Sequence, residues 1–488
     1  MSIDTSPRGT EAGDEARSAL ASEAGAPAGR STWSALRPLV LRIHFYAGVL
    51  IAPLLLVAAF SGLLYALSYQ AEEIVYRHEL TVPVGEKTVP LSEQVRAARD
   101  AHPEGTVTAV RPSAEDDAST RVLMSSPEVD EGESLAVFVD PYTAEVRGEL
   151  TDSAGALPLR AWLSELHVDL HLGDFGHNYS EMAASWLWVV ALGGVLLWIG
   201  RKRSARRALT LPERGATGRR RTLSRHGVIG LWAAAGLVAL SATGLTWSTY
   251  AGENIGMVQD RLGGATPSVS AAVEPSSTEA DGGGHEGHHG GAAGGHDGHA
   301  GHDIGIDRAV AAARSAGIDT DGPVSVVLPA EGEGYVVAEA DQQFPVHLDS
   351  VAVNPADGKI IDELRFAEYP LLAKLTRIGI DAHMGVFLGM FNQLALAALA
   401  VALILLIVWS YRMWWHRRPT KDRTLSFGRP MPRGAWRKVP LPVLLPLAVV
   451  TALAGWFVPM LGISLLVFLA VDLLLGFMAR ARARSRAV

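Results

Sequence analysis

The sequence predicts an α-helical integral membrane protein: a four-helix core made of two parallel helix–module–helix repeats, two small extracytoplasmic α+β modules, and a C-terminal two-helix hairpin. Three observations predict it. Of 488 residues, 48% are apolar and 19% charged, with mean hydropathy +0.18, a balance unlike that of a soluble chain. Apolar runs long enough to cross a ~30 Å hydrocarbon layer, which takes about 20 residues, recur along it. The third is a repeat visible residue by residue.

In chain order, residues 1–36 are rich in Ala, Gly, Ser and Glu without an apolar period, and are expected to be a disordered cytoplasmic terminus. A first span is expected over 37–69, an external module over 70–182, a second span over 183–200 and a basic loop over 201–225. A third span over 226–250, a second external module over 251–382 and a fourth span over 383–411 follow. A basic loop over 412–438 leads into 439–479. Those 41 residues are interrupted by Pro459 and Gly462, which suits a hairpin of two helices before a basic tail over 480–488.

Lys and Arg stay on the cytoplasmic side during insertion. Residues 201–225 hold ten bases and one acid, and 412–438 hold nine and one, whereas 70–180 hold 21 acids and eight bases. Both termini are therefore expected inside and both modules outside. The net charge of −8 argues against a nucleic-acid partner. With no Cys, disulfides, thiolate nucleophiles, iron–sulfur clusters and c-type haem are excluded. Any redox centre is left to His, carboxylate, Met or Tyr.

The repeat is arithmetic. His44, Gly48 and Ser61-Gly62-Leu63 recur as His226, Gly230 and Thr243-Gly244-Leu245, all at an offset of 182. The passages Phe138–Val146 and Ala352–Ile360, each a strand, an Asp/Asn-Pro turn and a strand, are offset by 214. His167, Gly173, Phe175, Trp198 and Arg201 match His383, Gly389, Phe391, Trp414 and Arg417 at 216. One insertion, 281–303, accounts for the jump. Each copy has an even number of spans, so the two are parallel about an axis along the membrane normal. Each module opens on an amphipathic helix (91–102 and 306–316) and continues in short alternating strands, with no nucleotide fingerprint, Walker loop or nucleophile elbow.

Of sixteen His, four stand at repeat-equivalent positions. His44 and His226 lie at the cytoplasmic ends of the first and third spans, His167 and His383 at the external ends of the second and fourth. Packed about a central axis, they face each other as two pairs at two depths. Two neutral imidazoles converging across a helix bundle are what a b-type haem iron takes as axial ligands. The alternative for each single His is a cap on a last helical turn or a contact with lipid headgroups. His171, one turn from His167, can replace it as ligand, and His177 is expected at the rim. Ser61 and Thr243 are expected to hydrogen-bond a ligand or to mediate helix packing. Trp186, Trp188, Trp198, Trp409, Trp414 and Trp415 read as interface anchors, and Asp472 as an intramembrane carboxylate with no assignable partner. The insertion carries His285, His288, His289, His296, His299 and His302 among glycines and carboxylates, a composition that can wrap a labile metal ion or serve only as a linker.

Together, Arg42-Ile-His44-Phe-Tyr-Ala-Gly48, Ser61-Gly62-Leu63, Leu166-His167-Val-Asp-Leu170-His-Leu-Gly173, Arg225-His226-Gly-Val-Ile-Gly230 and Ala382-His383-Met-Gly385, with the two Pro-turn hairpins, resemble the PepSY-associated transmembrane (iron-regulated membrane protein) family over residues 38–418. The resemblance implies two haem b groups held by His44, His226, His167 and His383. It further implies reduction of an extracytoplasmic ferric siderophore, or another metal complex, by electrons from quinol or a cytoplasmic reductase, in a bacterial cytoplasmic membrane. The rival expectation is a non-redox membrane protein whose modules bind a peptide, protease or metal complex for uptake or regulation.

Overall fold

The structure, a computed structural model, describes residues 32–201, 207–273, 303–416 and 434–485. The first apolar run is not one helix. Helices α1 (Thr32–Leu50) and α2 (Ala52–Ala66) meet at Ile51 and are bent by 60°. The cause is Pro53, which has no N–H to give to the Val49 carbonyl and whose ring crowds that oxygen. Tyr411 takes the freed carbonyl, its hydroxyl donating to Val49 O at 2.9 Å. The single span expected over 37–69 is thus a broken one.

Two short helices, α3 (Ser68–Val75) and α4 (Arg77–Leu80), lead to the first module. It consists of α5 (Leu91–Ala101) and the meander β1 (Thr106–Arg111), β2 (Thr120–Ser125), β3 (Ser134–Val139) and β4 (Val146–Asp152). Helix α6 (Pro158–Val168) then precedes the membrane helix α7 (Asp174–Ile199). After the short α8 (Arg207–Thr210) come the membrane helix α9 (Gly218–Leu245) and α10 (Thr249–Arg261). The second module has α11 (Ile306–Ser315), β5 (Val324–Val327), β6 (Tyr335–Glu339), β7 (Ser350–Val353) and β8 (Ile360–Leu364). It leads through α12 (Leu371–Met384) to the membrane helix α13 (Met390–Trp415).

The two small α+β modules expected outside the membrane share one eight-stranded antiparallel sheet in the order β4-β3-β2-β1-β5-β6-β7-β8. Each meander would leave its first strand as an open edge; pairing Ala109 with Val327 and Val110 with Val326 closes both edges at once. Helices α5 and α11 add Val95, Ala98, Ala309 and Ala313 to the same buried cluster as Val122, Val137, Val326 and Val351. Asp307 of α11 caps α5, accepting from Leu91 N at 2.8 Å and Ser92 N at 3.3 Å. The two Pro-turn hairpins form as read, with Val139 opposite Val146 and Val353 opposite Ile360.

His167 and His383 do not begin the second and fourth spans. They occupy the last turns of α6 and α12, which stop short of α7 and α13. The breaks are made by left-handed residues: Leu170, His171 and Gly173 (φ +59°, +54°, +55°) in one half, Gly385 and Gly389 (φ +91°, +53°) in the other.

The C-terminal segment forms a hairpin of α14 (Leu441–Phe457) and α15 (Pro459–Ser485), turning at Val458. A Cβ on Gly462 would lie 2.2 Å from Gly455 O, so glycine is what lets these helices approach. Among the described residues, α7, α9, α13 and α15 are each long and apolar enough to cross a membrane, and the bent α1–α2 pair makes a fifth candidate. Helix α14, at 17 residues, is shorter.

Candidate functional site

The four repeat-equivalent histidines come together two by two. At the ends of the membrane helices far from the sheet, the rings of His44 (α1) and His226 (α9) stand 6.4 Å apart, centroid to centroid, at 72°. Near the sheet, His167 (α6) and His383 (α12) line one cavity of about 560 Å³. Along α9, His226 and Thr243, which bonds His383, are 17 residues apart, about 25 Å of helix.

Each ring is held by its Nδ1. His44 Nδ1 meets Val190 O of α7 at 3.0 Å, and His226 Nδ1 meets Leu406 O of α13 at 3.2 Å. A carbonyl only accepts, so Nδ1 carries the proton and donates. Near the sheet, His167 Nδ1 lies 2.9 Å from Ser61 Oγ, and His383 Nδ1 lies 2.7 Å from Thr243 Oγ1. These hydroxyls give their own protons to the turn behind them: Ser61 to Val57 O (3.0 Å) and Ala58 O (3.2 Å), Thr243 to Ala239 O (2.9 Å) and Leu240 O (3.3 Å). With their protons on those carbonyls, Ser61 and Thr243 are placed to accept from the rings. In His44 and His226 Nε2 is thus left with its lone pair, the tautomer of a metal-ligating imidazole whose other nitrogen is anchored by protein, and donation from Nδ1 to Ser61 or Thr243 gives His167 and His383 the same tautomer.

Close packing sets the ring positions. A Cβ on Gly62 would come 3.1 Å from His167 Cε1, on Gly194 3.1 Å from His44 Cε1, and on Gly244 3.4 Å from His383 Cε1. The residues present suit an iron macrocycle. Two imidazoles bound end-on to one metal by bonds of ~2.0 Å have centroids about 6.3 Å apart, which the sheet-distal pair matches. The sheet-proximal cavity is walled by Ala58, Leu237, Leu240, Leu399 and Leu403 among others, and most of its wall surface is apolar although several polar side chains reach it, which suits a flat, mostly apolar ligand.

His171 is not among the residues lining the cavity; it faces Glu165 (Nδ1 to Oε2, 3.0 Å) and stacks on Trp162 at 4.8 Å. His177, expected at the rim, does line it, as does Glu181 one turn further along α7. Glu181 is 3% exposed and caps α10, accepting from Tyr250 N at 3.1 Å and Ala251 N at 3.0 Å. A carboxylate inside an apolar helix was the sequence signal for it. Tyr65 and Trp247, also in the cavity wall, carried no such signal. Trp247 meets His383 edge-on at 5.4 Å.

Two readings are corrected. Asp472 has a partner: its Oδ1 accepts from Arg42 at 2.6 Å. Trp186 and Trp198 are buried rather than interfacial, donating to Ser464 Oγ at 2.8 Å and to Leu209 O at 2.9 Å. On the first module, His102, Glu104 and Glu128 bring potential ligand atoms within 4.8 Å of one another. His285, His288, His289, His296, His299 and His302 lie outside the described residues.

No protein of curated function matches the chain. The family model of the PepSY-associated TM region matches residues 41–417, from just before His44 to just beyond the end of α13. It takes in all four histidines and their anchoring residues, and the chain belongs to this PepSY-associated transmembrane family.

Proposed function

We propose that the two histidine pairs hold two haem b groups and that the protein passes electrons across the membrane to reduce a ferric siderophore, or another metal complex, on the sheet side during iron acquisition. One observation carries this reading: four imidazoles, in two pairs about 25 Å apart along α9, all have Nδ1 engaged by protein and no Nε2 partner among the described residues. Haem supplies one-electron chemistry. The chain supplies ligands, their orientation and the apolar cavity walls. Charge bias in the loops supports placing both termini in the cytoplasm and the sheet outside, in a bacterial cytoplasmic membrane. The donor is quinol or a cytoplasmic reductase, since the sequence contains no nucleotide fingerprint. Each ferric ion takes up one electron, and the ferrous product binds its chelator less tightly.

The test is spectroscopic. Protein purified from haem-replete cells should show a Soret band and a sharp reduced α-band. His44→Ala and His383→Ala should each remove about half of it, because each breaks one pair. A colourless protein would instead favour a non-redox membrane protein whose sheet binds a peptide, protease or metal complex.

A further inference from the structure

His226 sits in an unbroken 28-residue helix, but His44 sits on the detached half of a broken one. The bend at Ile51 frees α1 from the direction of α2. Something else must hold His44 at 6.4 Å from His226. Its own bond to Val190 O and its seat against Gly194 fix the ring on one side of α1.

The opposite side is held by α15. Arg42 and Tyr46 are one turn apart on α1, while His44 lies about 200° around the helix from each. Arg42 donates to Asp472 at 2.6 Å, and Tyr46 meets Phe468 at 5.5 Å. One turn further back on the same stripe of α15, Ser464 Oγ accepts from Trp186 Nε1 of α7 at 2.8 Å. Ser464, Phe468 and Asp472, spaced four apart, therefore tie α1 to α7, the helix that offers Val190 O to His44. The α14 end of the hairpin is anchored too, Phe457 O accepting from Asn254 at 3.0 Å. The 3₁₀ turn Ala435–Lys438, just before the hairpin, also packs on α1.

We propose that the C-terminal hairpin is a clamp for the sheet-distal pair, with Asp472 and Phe468 as positioning residues that set the placement of His44 through Arg42 and Tyr46. The second half needs no such clamp because α9 is continuous. The role in ligand binding rests on the reading of His44 and His226 as a pair, but the clamp itself is testable without any cofactor.

The chain has no cysteine, so spin labels can be placed cleanly on the full-length protein. Labels at exposed Arg37→Cys on α1 and Arg219→Cys on α9 report the placement of α1; labels at Arg219→Cys and exposed Leu196→Cys on α7 serve as a control. The electron–electron distance distribution of the α1 pair should broaden or shift in Asp472→Asn, with the control pair unchanged, and Asp472→Glu should restore it. Should Asp472→Asn loosen the control pair as well, Phe468→Ala decides: it leaves the ion pair in place and must loosen α1 alone. An α1 distribution that stays parental in both Asp472→Asn and Phe468→Ala overturns the clamp, as does a change that Asp472→Glu fails to reverse. A colourless protein with these distance changes would sink the cofactor reading and leave the clamp standing.

Discussion

Replacing Thr243 by Val removes one hydroxyl and keeps the shape of the side chain. The hydroxyl oxygen lies 2.7 Å from His383 Nδ1 and is that nitrogen's hydrogen-bond partner. Without it, the ring nitrogen of His383, in the cavity wall, loses that partner. An orphaned donor of this kind costs about 1–3 kcal/mol, and the ring also loses what fixes its tautomer and direction. At 1.4 kcal/mol per factor of ten, ligand affinity at the sheet-proximal pair should fall roughly 5- to 140-fold. The assay is a haem titration of ligand-free protein followed at the Soret band, with the two sites resolved by their difference spectra. Thr243→Ser, which keeps the oxygen, should bind nearly as the parent does. If Thr243→Val binds as tightly as the parent, or Thr243→Ser is as weak as Thr243→Val, the hydroxyl does not anchor His383.

Gly194→Ala places a methyl 3.1 Å from His44 Cε1 and should lower stability by about 1–3 kcal/mol through overpacking. Gly230→Ala meets only Leu406 Cδ2 at 3.6 Å and should be neutral or stabilising; thermal unfolding of the two variants in one detergent checks the contrast. Glu72 is 6% exposed, and burial pushes its carboxyl above the ordinary 4.5, with Arg160 beside it at 3.2 Å opposing the rise. A carboxyl that binds its proton more tightly when folded makes stability fall as pH climbs from 4.5 through the raised value, and level off beyond it. Glu72→Gln should flatten that part of the curve of melting temperature against pH, and an unaltered slope would show that Glu72 does not cause it.

What the sequence disclosed depended on range. The hairpins around Pro141 and Pro355 were legible because alternation of period two and a Pro turn are local. The histidines were legible because a polar ring at membrane depth is costly wherever it lies. The stop between His167 and α7 was not: Leu170 and His171 take left-handed backbone without being Gly or Asn, and Gly173 alone does not show where the helix ends. Pro53 did announce a break, but in a long apolar run a proline passes easily for the first turn of a continuous helix. The partner of Asp472 lies 430 residues away in sequence, and nothing in the neighbourhood of either residue points to the other. The joining of the modules depended on two strand edges meeting, a property of the folded surface.

The seam between β1 and β5 is only two residue pairs wide, yet it makes a yoke of the whole sheet. Helices α6 and α12 follow β4 and β8, its two outer strands, so each histidine-bearing helix is joined through the sheet to the other as well as to the membrane helices. A twist of one meander therefore reaches the other through that seam, and through it the helix that carries the second histidine.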